Sequence, residues 1–142
     1  MKIKRIRDVR MPSRGTSGSA GLDFYIPEES GRINVMPGES IFVPSGIRCN
    51  VPKGYMLMAA NRSSMGKKGM LVGASIVDSD YTGEIHLNLW NVSDEEQNFF
   101  PGDKIVQFIL VPVLNIEIEE VDELDEIDSD RGNKGFGSTN KI

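Results

Sequence analysis

The sequence predicts an all-β fold, a sandwich or barrel of short strands, on three observations. Turn signals recur at short intervals, at Pro37-Gly38, Pro52-Lys53-Gly54, Pro101-Gly102 and the glycine-rich stretches 15–21 and 132–137. The segments between them are short and rich in β-branched and aromatic residues. No window of about 12 residues carries an apolar stripe at helical spacing. Taken in order, Ser40-Ile41-Phe42-Val43, Ile47-Arg48-Cys49-Asn50-Val51 and Tyr55-Met56-Leu57-Met58-Ala59 read as strands. Residues 84–91 and 116–118 alternate strictly with period two, and 104–113 is a mostly apolar run. One short helical turn is expected around residues 63–67.

Alternation in 84–91 sets Ile85, Leu87 and Leu89 against His86, Asn88 and Trp90 on the opposite face. His86 therefore reads as a polar residue on a solvated face. Cys49 alternates with Arg48 and Asn50 and reads as a small buried apolar side chain. The seven methionines have no regular spacing, so core filling is the expectation for them.

With 142 residues, 39% hydrophobic and 26% charged, the chain has the length and composition of one soluble domain with its own core. One cysteine and one histidine leave no disulfide within the chain and no Cys/His zinc set. The first seven residues alternate charged and apolar side chains, unlike a secretion signal, and no long apolar run suits a membrane span. The expectation is a cytoplasmic protein with no membrane partner. Nine of the 21 acidic residues fall in 117–130, where no Lys or Arg occurs, so the rest of the chain holds 16 basic against 12 acidic residues, a balance of +4. That body can receive an anion, but without a basic stripe interleaved with aromatics it does not read as a nucleic-acid binder.

Three segments carry chemistry. Asn61-Arg62-Ser63-Ser64-Met65-Gly66-Lys67-Lys68-Gly69 concentrates hydroxyls, glycines and cations just after a strand, as phosphate-binding turns do. Asp78-Ser79-Asp80-Tyr81-Thr82-Gly83 sets two carboxylates beside an aromatic hydroxyl, where a carboxylate can serve as general base for water. The final stretch from Arg131 to Ile142 holds three glycines, one aromatic, adjacent hydroxyls and three cations behind an acidic connector, a composition able to wrap an anion.

Together these residues resemble the trimeric dUTPase family, whose five motifs are matched in order. Ala20-Gly21-Leu22-Asp23 is similar to the first, Arg62-Ser63-Ser64-Met65-Gly66 to the second, and the run from Gly73 through Asp78-Ser79-Asp80-Tyr81-Thr82-Gly83 to the third. Pro101-Gly102-Asp103-Lys104-Ile105-Val106-Gln107 resembles the fourth, and Arg131-Gly132-Asn133-Lys134-Gly135-Phe136-Gly137-Ser138-Thr139 the fifth. Asn61 stands where proline is common in the family, and Ser75 where many relatives have glycine.

The resemblance implies a jelly-roll-like distorted β-barrel at 1–130 and a flexible C-terminal arm at 131–142, exchanged between the subunits of a homotrimer to close a neighbouring active site. It implies hydrolysis of dUTP to dUMP and pyrophosphate by water attack on the α-phosphorus, which limits uracil in DNA and supplies dUMP for dTTP synthesis. Asp78 would activate the water, and Tyr81 would pack under the deoxyribose. Main-chain groups of the hairpin around 70–77, including Ser75 and Val77, would read uracil. Arg62, Ser63, Ser64, Gly66 and Gln107 would hold the phosphates. Arg131, Gly137, Ser138 and Thr139 would close over them while Phe136 covers the base. Mg2+ would ride on the triphosphate, with Asp23 in an indirect role. Two rival readings are a dCTP deaminase-like enzyme and a non-catalytic nucleotide-binding trimer. The first needs a glutamate proton shuttle where Asn88 stands, and the second would be expected to lose Asp78, Tyr81 or the arm.

Overall fold

Buried side chains recur at every second position of the longer strands, which is the period an all-β core imposes. The computed structural model describes residues 1–129 and 132. Its strands are β1 (Lys2–Arg5), β2 (Leu22–Tyr25), β3 (Ile33–Val35), β4 (Ser40–Pro44), β5 (Ile47–Asn50) and β6 (Tyr55–Asn61). They continue with β7 (Met70–Val72), β8 (Ile76–Val77), β9 (His86–Asn91), β10 (Gln97–Phe99) and β11 (Lys104–Pro112). A five-residue helix, α1 (Ser63–Lys67), sits where the helical turn is expected, and a 3-10 turn spans Glu28–Ser30. Among the described residues no helix is long and apolar enough to cross a membrane.

Two sheets form the body. One runs β2-β11-β6-β8 and the other β4-β9-β7, while β1-β5 and β10-β3 are two-stranded pairs, all antiparallel. Phe24, Leu57, Ala59, Val77 and Phe108 from the first sheet share a single hydrophobic cluster with Ile41, Val43, Leu87 and Leu89 from the second. Phe24 and Phe108 lie with ring centroids 4.6 Å apart at 53°, a tilted aromatic pair on neighbouring strands. Register shifts in β11 between Lys104 and Val106. The extra residue lets Ile105 and Val106, adjacent in sequence, both turn inward, which an unbroken strand would forbid.

Two turns share one construction. In Met36-Pro37-Gly38-Glu39 and Phe100-Pro101-Gly102-Asp103 the fourth residue's N–H donates to the first residue's C=O, and its carboxylate accepts the first residue's N–H. Gly38 and Gly102 have φ of 80° and 82°, as the third position of a type II turn requires.

The ends of the elements are held by polar contacts. Asn91 is wholly buried and fully bonded: Nδ2 donates to the carbonyls of Val35 and Glu95, and Oδ1 accepts from the N–H and hydroxyl of Ser93. Arg7 grips the Glu84 carboxylate through Nε at 2.6 Å and a second nitrogen at 3.0 Å, and Gly46 N–H donates to the same carboxylate at 2.7 Å. The Arg7 hydrogen bonds hold the Glu84 carboxyl below its ordinary 4.5, while Glu84 and Glu29 raise the guanidinium.

The strand read at 84–91 begins at His86, because Glu84 and Ile85 leave the sheet to reach Arg7, Ser45 and Ile47. The alternation holds: Ile85, Leu87 and Leu89 are buried and Trp90 is exposed. Cys49 is buried, and burial pushes its thiol up. Two expectations fail. Residues 116–118 form no strand, and Ile116 and Ile118 are 79% and 96% exposed, since no described strand edge lies beside them to pair with. Of the methionines only Met65 and Met70 are buried, while Met1, Met11 and Met36 are exposed, because long unbranched side chains fall here at turns and edges as well as inside.

Asn91→Ala strips partners from four groups, the Val35 and Glu95 carbonyls and both Ser93 donors. It should destabilise the fold by roughly 1–3 kcal/mol, read by denaturant unfolding. For Glu84 the folded-state pKa lies below the unfolded one, so its contribution is present above about pH 4.5 and fades as pH falls through the folded value. Glu84→Gln should lower Tm near neutral pH by about 3 °C, and the gap should close in acid melts. A gap independent of pH would show that the carboxylate charge contributes nothing.

Candidate active site

One end of β6 runs directly into the phosphate-type turn. Arg62 follows Asn61 in extended conformation, and α1 begins at Ser63. The Arg62 guanidinium donates from Nε to Asp23 Oδ1 at 2.9 Å and from a terminal nitrogen to the Lys104 carbonyl at 2.6 Å. Lys104 Nζ meets the other Asp23 oxygen at 3.1 Å, and Asp23 in turn raises the lysine's pKa. The carboxylate thus bridges two cations and is itself almost buried. Its charge fixes the arginine fork in place beside the exposed Ser63 and Ser64.

Gln107 lies opposite Asp23 in the β2-β11 register and donates from Nε2 to the Asn61 carbonyl at 2.8 Å. Gly21 is required beside it, because a Cβ there would collide with the Gln107 carboxamide. Gly15, Ser19, Gly21, Asp23, Arg62, Ser63, Ser64 and Gln107 line one cleft of about 370 Å³. Gly66, on α1, does not line this cleft but an adjoining one that shares Ser64, and an added Cβ there would meet nothing within 4 Å. The Asn61 side chain accepts the Val72 N–H at 2.7 Å and so ties β6 to β7.

The third-motif residues occupy a second cleft of about 180 Å³, lined by Ala74, Ser75, Ile76, Val77, Asp78 and Tyr81 with Phe42, His86 and Phe108. Asp78 is exposed in the loop after β8, and a turn bond from Tyr81 N–H to its carbonyl holds the loop. Tyr81 folds back so that its hydroxyl donates to the Glu84 carbonyl at 2.8 Å. A Cβ on Gly83 would strike that ring, which accounts for glycine there. The Arg7 grip on Glu84 therefore also holds the anchor of Tyr81. Ser75 C=O accepts the Ala59 N–H at 2.7 Å, pinning the hairpin to β6.

His86 departs from the solvated-face expectation. It is half-buried, stacks on Phe42 with centroids 4.6 Å apart at 11°, and walls the same cleft as Asp78. Phe42 and His86 line this cleft although they stand outside the five motifs, whereas Lys104, within the fourth motif, lines neither cleft and bears on the site through Asp23. The signal for the first two is register: β4 pairs with β9 so that Phe42 faces Asn88 and Pro44 faces His86.

The two clefts share no lining residue. Val77 pairs with Leu57 on β6, and five residue steps lead from Leu57 to Arg62, roughly 16 Å by the strand rise. Within one chain, Asp78 lines the one cleft and Arg62 the other. Among the described residues no group of three or more His, Cys, Asp or Glu is placed to hold a metal. Arg131, Phe136, Gly137, Ser138 and Thr139 lie outside the described residues.

The dUTPase family model covers residues 7–140. The deoxyuridine 5'-triphosphate nucleotidohydrolase of Hydrogenobaculum sp. (strain Y04AAS1) is 37% identical over 141 residues, covering 96% of this chain and 95% of the relative. The protein of the same name from Janthinobacterium sp. (strain Marseille) is 38% identical over 148 residues, with 96% and 95% covered. Among solved structures, a mutant dUTPase of Staphylococcus bacteriophage 80alpha with dUpNHpp superposes with TM-score 0.85 at 22% identity, covering 96% of both chains. A mutant dUTPase from phage phi11 of S. aureus, described with a structural Mg(II) ion, gives TM-score 0.76 at 20% identity over 86% of this chain and 96% of its own. With the family model spanning nearly the whole chain and relatives this similar along their full length, the chain belongs to the dUTPase family.

Proposed function

We propose that the chain hydrolyses dUTP to dUMP and pyrophosphate in a homotrimer whose active sites form between subunits. The observation that carries this reading is the division of the site. The cation-and-hydroxyl cleft around Arg62 and Ser64 and the carboxylate-and-aromatic cleft around Asp78 and Tyr81 are both built, yet no residue lines both. Each is half of what phosphoryl transfer needs, and a neighbouring copy supplies the complement.

In this reading the uracil enters beside the 70–77 hairpin, and Ser75 and Val77 contribute main-chain groups to it. The deoxyribose lies on the Tyr81 ring, whose bulk denies room to a 2′-hydroxyl. Asp78 takes a proton from water as the water oxygen bonds to the α-phosphorus. The bond from that phosphorus to its bridging oxygen breaks, and pyrophosphate leaves. A neighbour's Arg62, Ser63, Ser64 and Gln107 spread the triphosphate charge, with the Gly66 turn beside them. The substrate is the magnesium complex of dUTP. Both Asp23 oxygens already face cations, which suits an indirect part for Asp23: it holds Arg62 beside the metal-bearing phosphates. Residues 131–142 act as the arm that closes over the nucleotide, with Arg131, Gly137, Ser138 and Thr139 toward phosphate and Phe136 toward the base. The compartment we propose is the cytoplasm. A deaminase reading is disfavoured by Asn88, whose carboxamide cannot shuttle a proton.

Asp78→Asn should keep binding of a non-hydrolysable dUTP analogue and lower turnover by roughly 10²–10⁴-fold. Near-normal turnover would shift the base to another group, with Asp80 next in line. A chain lacking 131–142 and the Asp78→Asn chain should each be nearly inactive alone. Mixed, they should regain part of the activity, because a hybrid trimer can join an intact Asp78 to another subunit's arm. Hybrids shown to form by mass yet remaining inactive would reject the shared site.

A further inference from the structure

We infer that Asn88 is a positioning residue that sets base specificity, because its carboxamide locks the tip of the 70–77 hairpin to the β4-β9 sheet. This inference rests on the proposed reading of that hairpin as the part that meets the base.

Asn88 commits both ends of its carboxamide and its main-chain carbonyl to this region. Its Oδ1 accepts the Ala74 N–H at 2.8 Å, its main-chain carbonyl accepts the Gly73 N–H at 3.1 Å, and its Nδ2 donates to the Ile41 carbonyl at 2.7 Å. Two consecutive hairpin N–H groups are thereby fixed to one residue of β9, which is itself fixed to β4. The hairpin side is shaped to match: a Cβ on Gly73 would collide with Asn88 Oδ1 and crowd Trp90 Nε1. Only glycine lets the hairpin backbone come this close. On the far side, Ser75 C=O is pinned by Ala59 N–H, so the Ala74–Ser75 tip is held from both sheets.

This grip bears on specificity because uracil and cytosine differ in donor and acceptor pattern rather than in size. A backbone reader rejects the wrong pattern only if its own groups cannot turn to meet it. A hairpin freed from Asn88 can rotate the Gly73-Ala74 peptide, and Ala74 N–H becomes an uncommitted donor beside the base. Asn88 touches neither the phosphates nor the water in this arrangement, so its loss should weaken base binding and base choice while the chemical step stays near normal.

The test measures kcat and KM for dUTP and dCTP, together with equilibrium binding of non-hydrolysable dUTP and dCTP analogues, on the full-length chain. In Asn88→Ala, KM for dUTP should rise about tenfold with kcat within about threefold. The preference for dUTP over dCTP in kcat/KM should fall about tenfold, the scale of one lost hydrogen bond. Asn88→Asp keeps the acceptor for Ala74 and loses the donor to Ile41, so it should fall between. Gly73→Ala should reproduce the Asn88→Ala shift by pushing the carboxamide aside, and the double variant should be no worse than either single one.

A purely structural role would lower Tm and leave the dUTP-to-dCTP ratio unchanged, and that result overturns the inference. Multiplying effects in the double variant overturn it too. If Asn88→Ala does not fold, Asn88→Asp and Gly73→Ala carry the same comparison. If the natural chain fails to hydrolyse dUTP, the proposed function falls, while analogue binding by the variants still decides the part played by Asn88.

Discussion

The pairing of β6 is the constraint on which the rest of the molecule depends. All seven of its residues pair with β11 on one edge, while Leu57 and Met58 pair with β8 on the other. A paired strand is rigid along its length, so whatever is attached near its two ends is held at a fixed separation. Arg62 and α1 follow one end, and β8 with Asp78 lies toward the other. A one-residue slip in either pairing would turn the alternating core side chains outward, so burial of Leu57 and Ala59 locks the register that spaces the two clefts.

Charge then works locally at each end. At the phosphate-type end, one nearly buried carboxylate, Asp23, gathers Arg62 and Lys104 from two other segments. An ion cluster of this kind adds modest net stability, since desolvation offsets much of the attraction. What it supplies is orientation, because a guanidinium held by a carboxylate and a carbonyl has few directions left. At the other end, Arg7 and Gly46 hold Glu84, and the Glu84 carbonyl anchors Tyr81. In both places an ion pair fixes a residue that lines a cleft, Arg62 directly and Tyr81 through the Glu84 carbonyl.

Three of the five family motifs, the second, third and fifth, were legible as residue types, since hydroxyls, glycines and cations after a strand and two acids beside a tyrosine announce their chemistry locally, whereas the first and fourth rest on the resemblance alone. The short helix at 63–67, the buried Cys49 and the alternating face of Ile85, Leu87 and Leu89 were legible for the same reason: each follows from the period or composition of a few neighbouring residues. Strands such as β3, β7 and β8, two or three residues long, were not individually legible, because their extended state is a property of the partner strand. The expected strand at 116–118 fails by the same logic, for alternation marks a segment able to pair but not an edge to receive it.

Composition, turn chemistry and periodicity by themselves determined the all-β class, the turn positions, the core-facing side chains and the chemical groups available for a nucleotide. Tertiary structure decided where those groups stand. It set the Asp78 and Arg62 clefts apart within one chain, brought His86 and Phe42 into the cleft wall, and bent β11 so that Ile105 and Val106 both face inward. It also gave Asn88 three partners on β4 and the hairpin. Local sequence governs which way a side chain points along its own strand, whereas distances between strands depend on register and on long-range pairs such as Asp23 with Arg62. Those pairs exist only once the sheets have closed on their shared core.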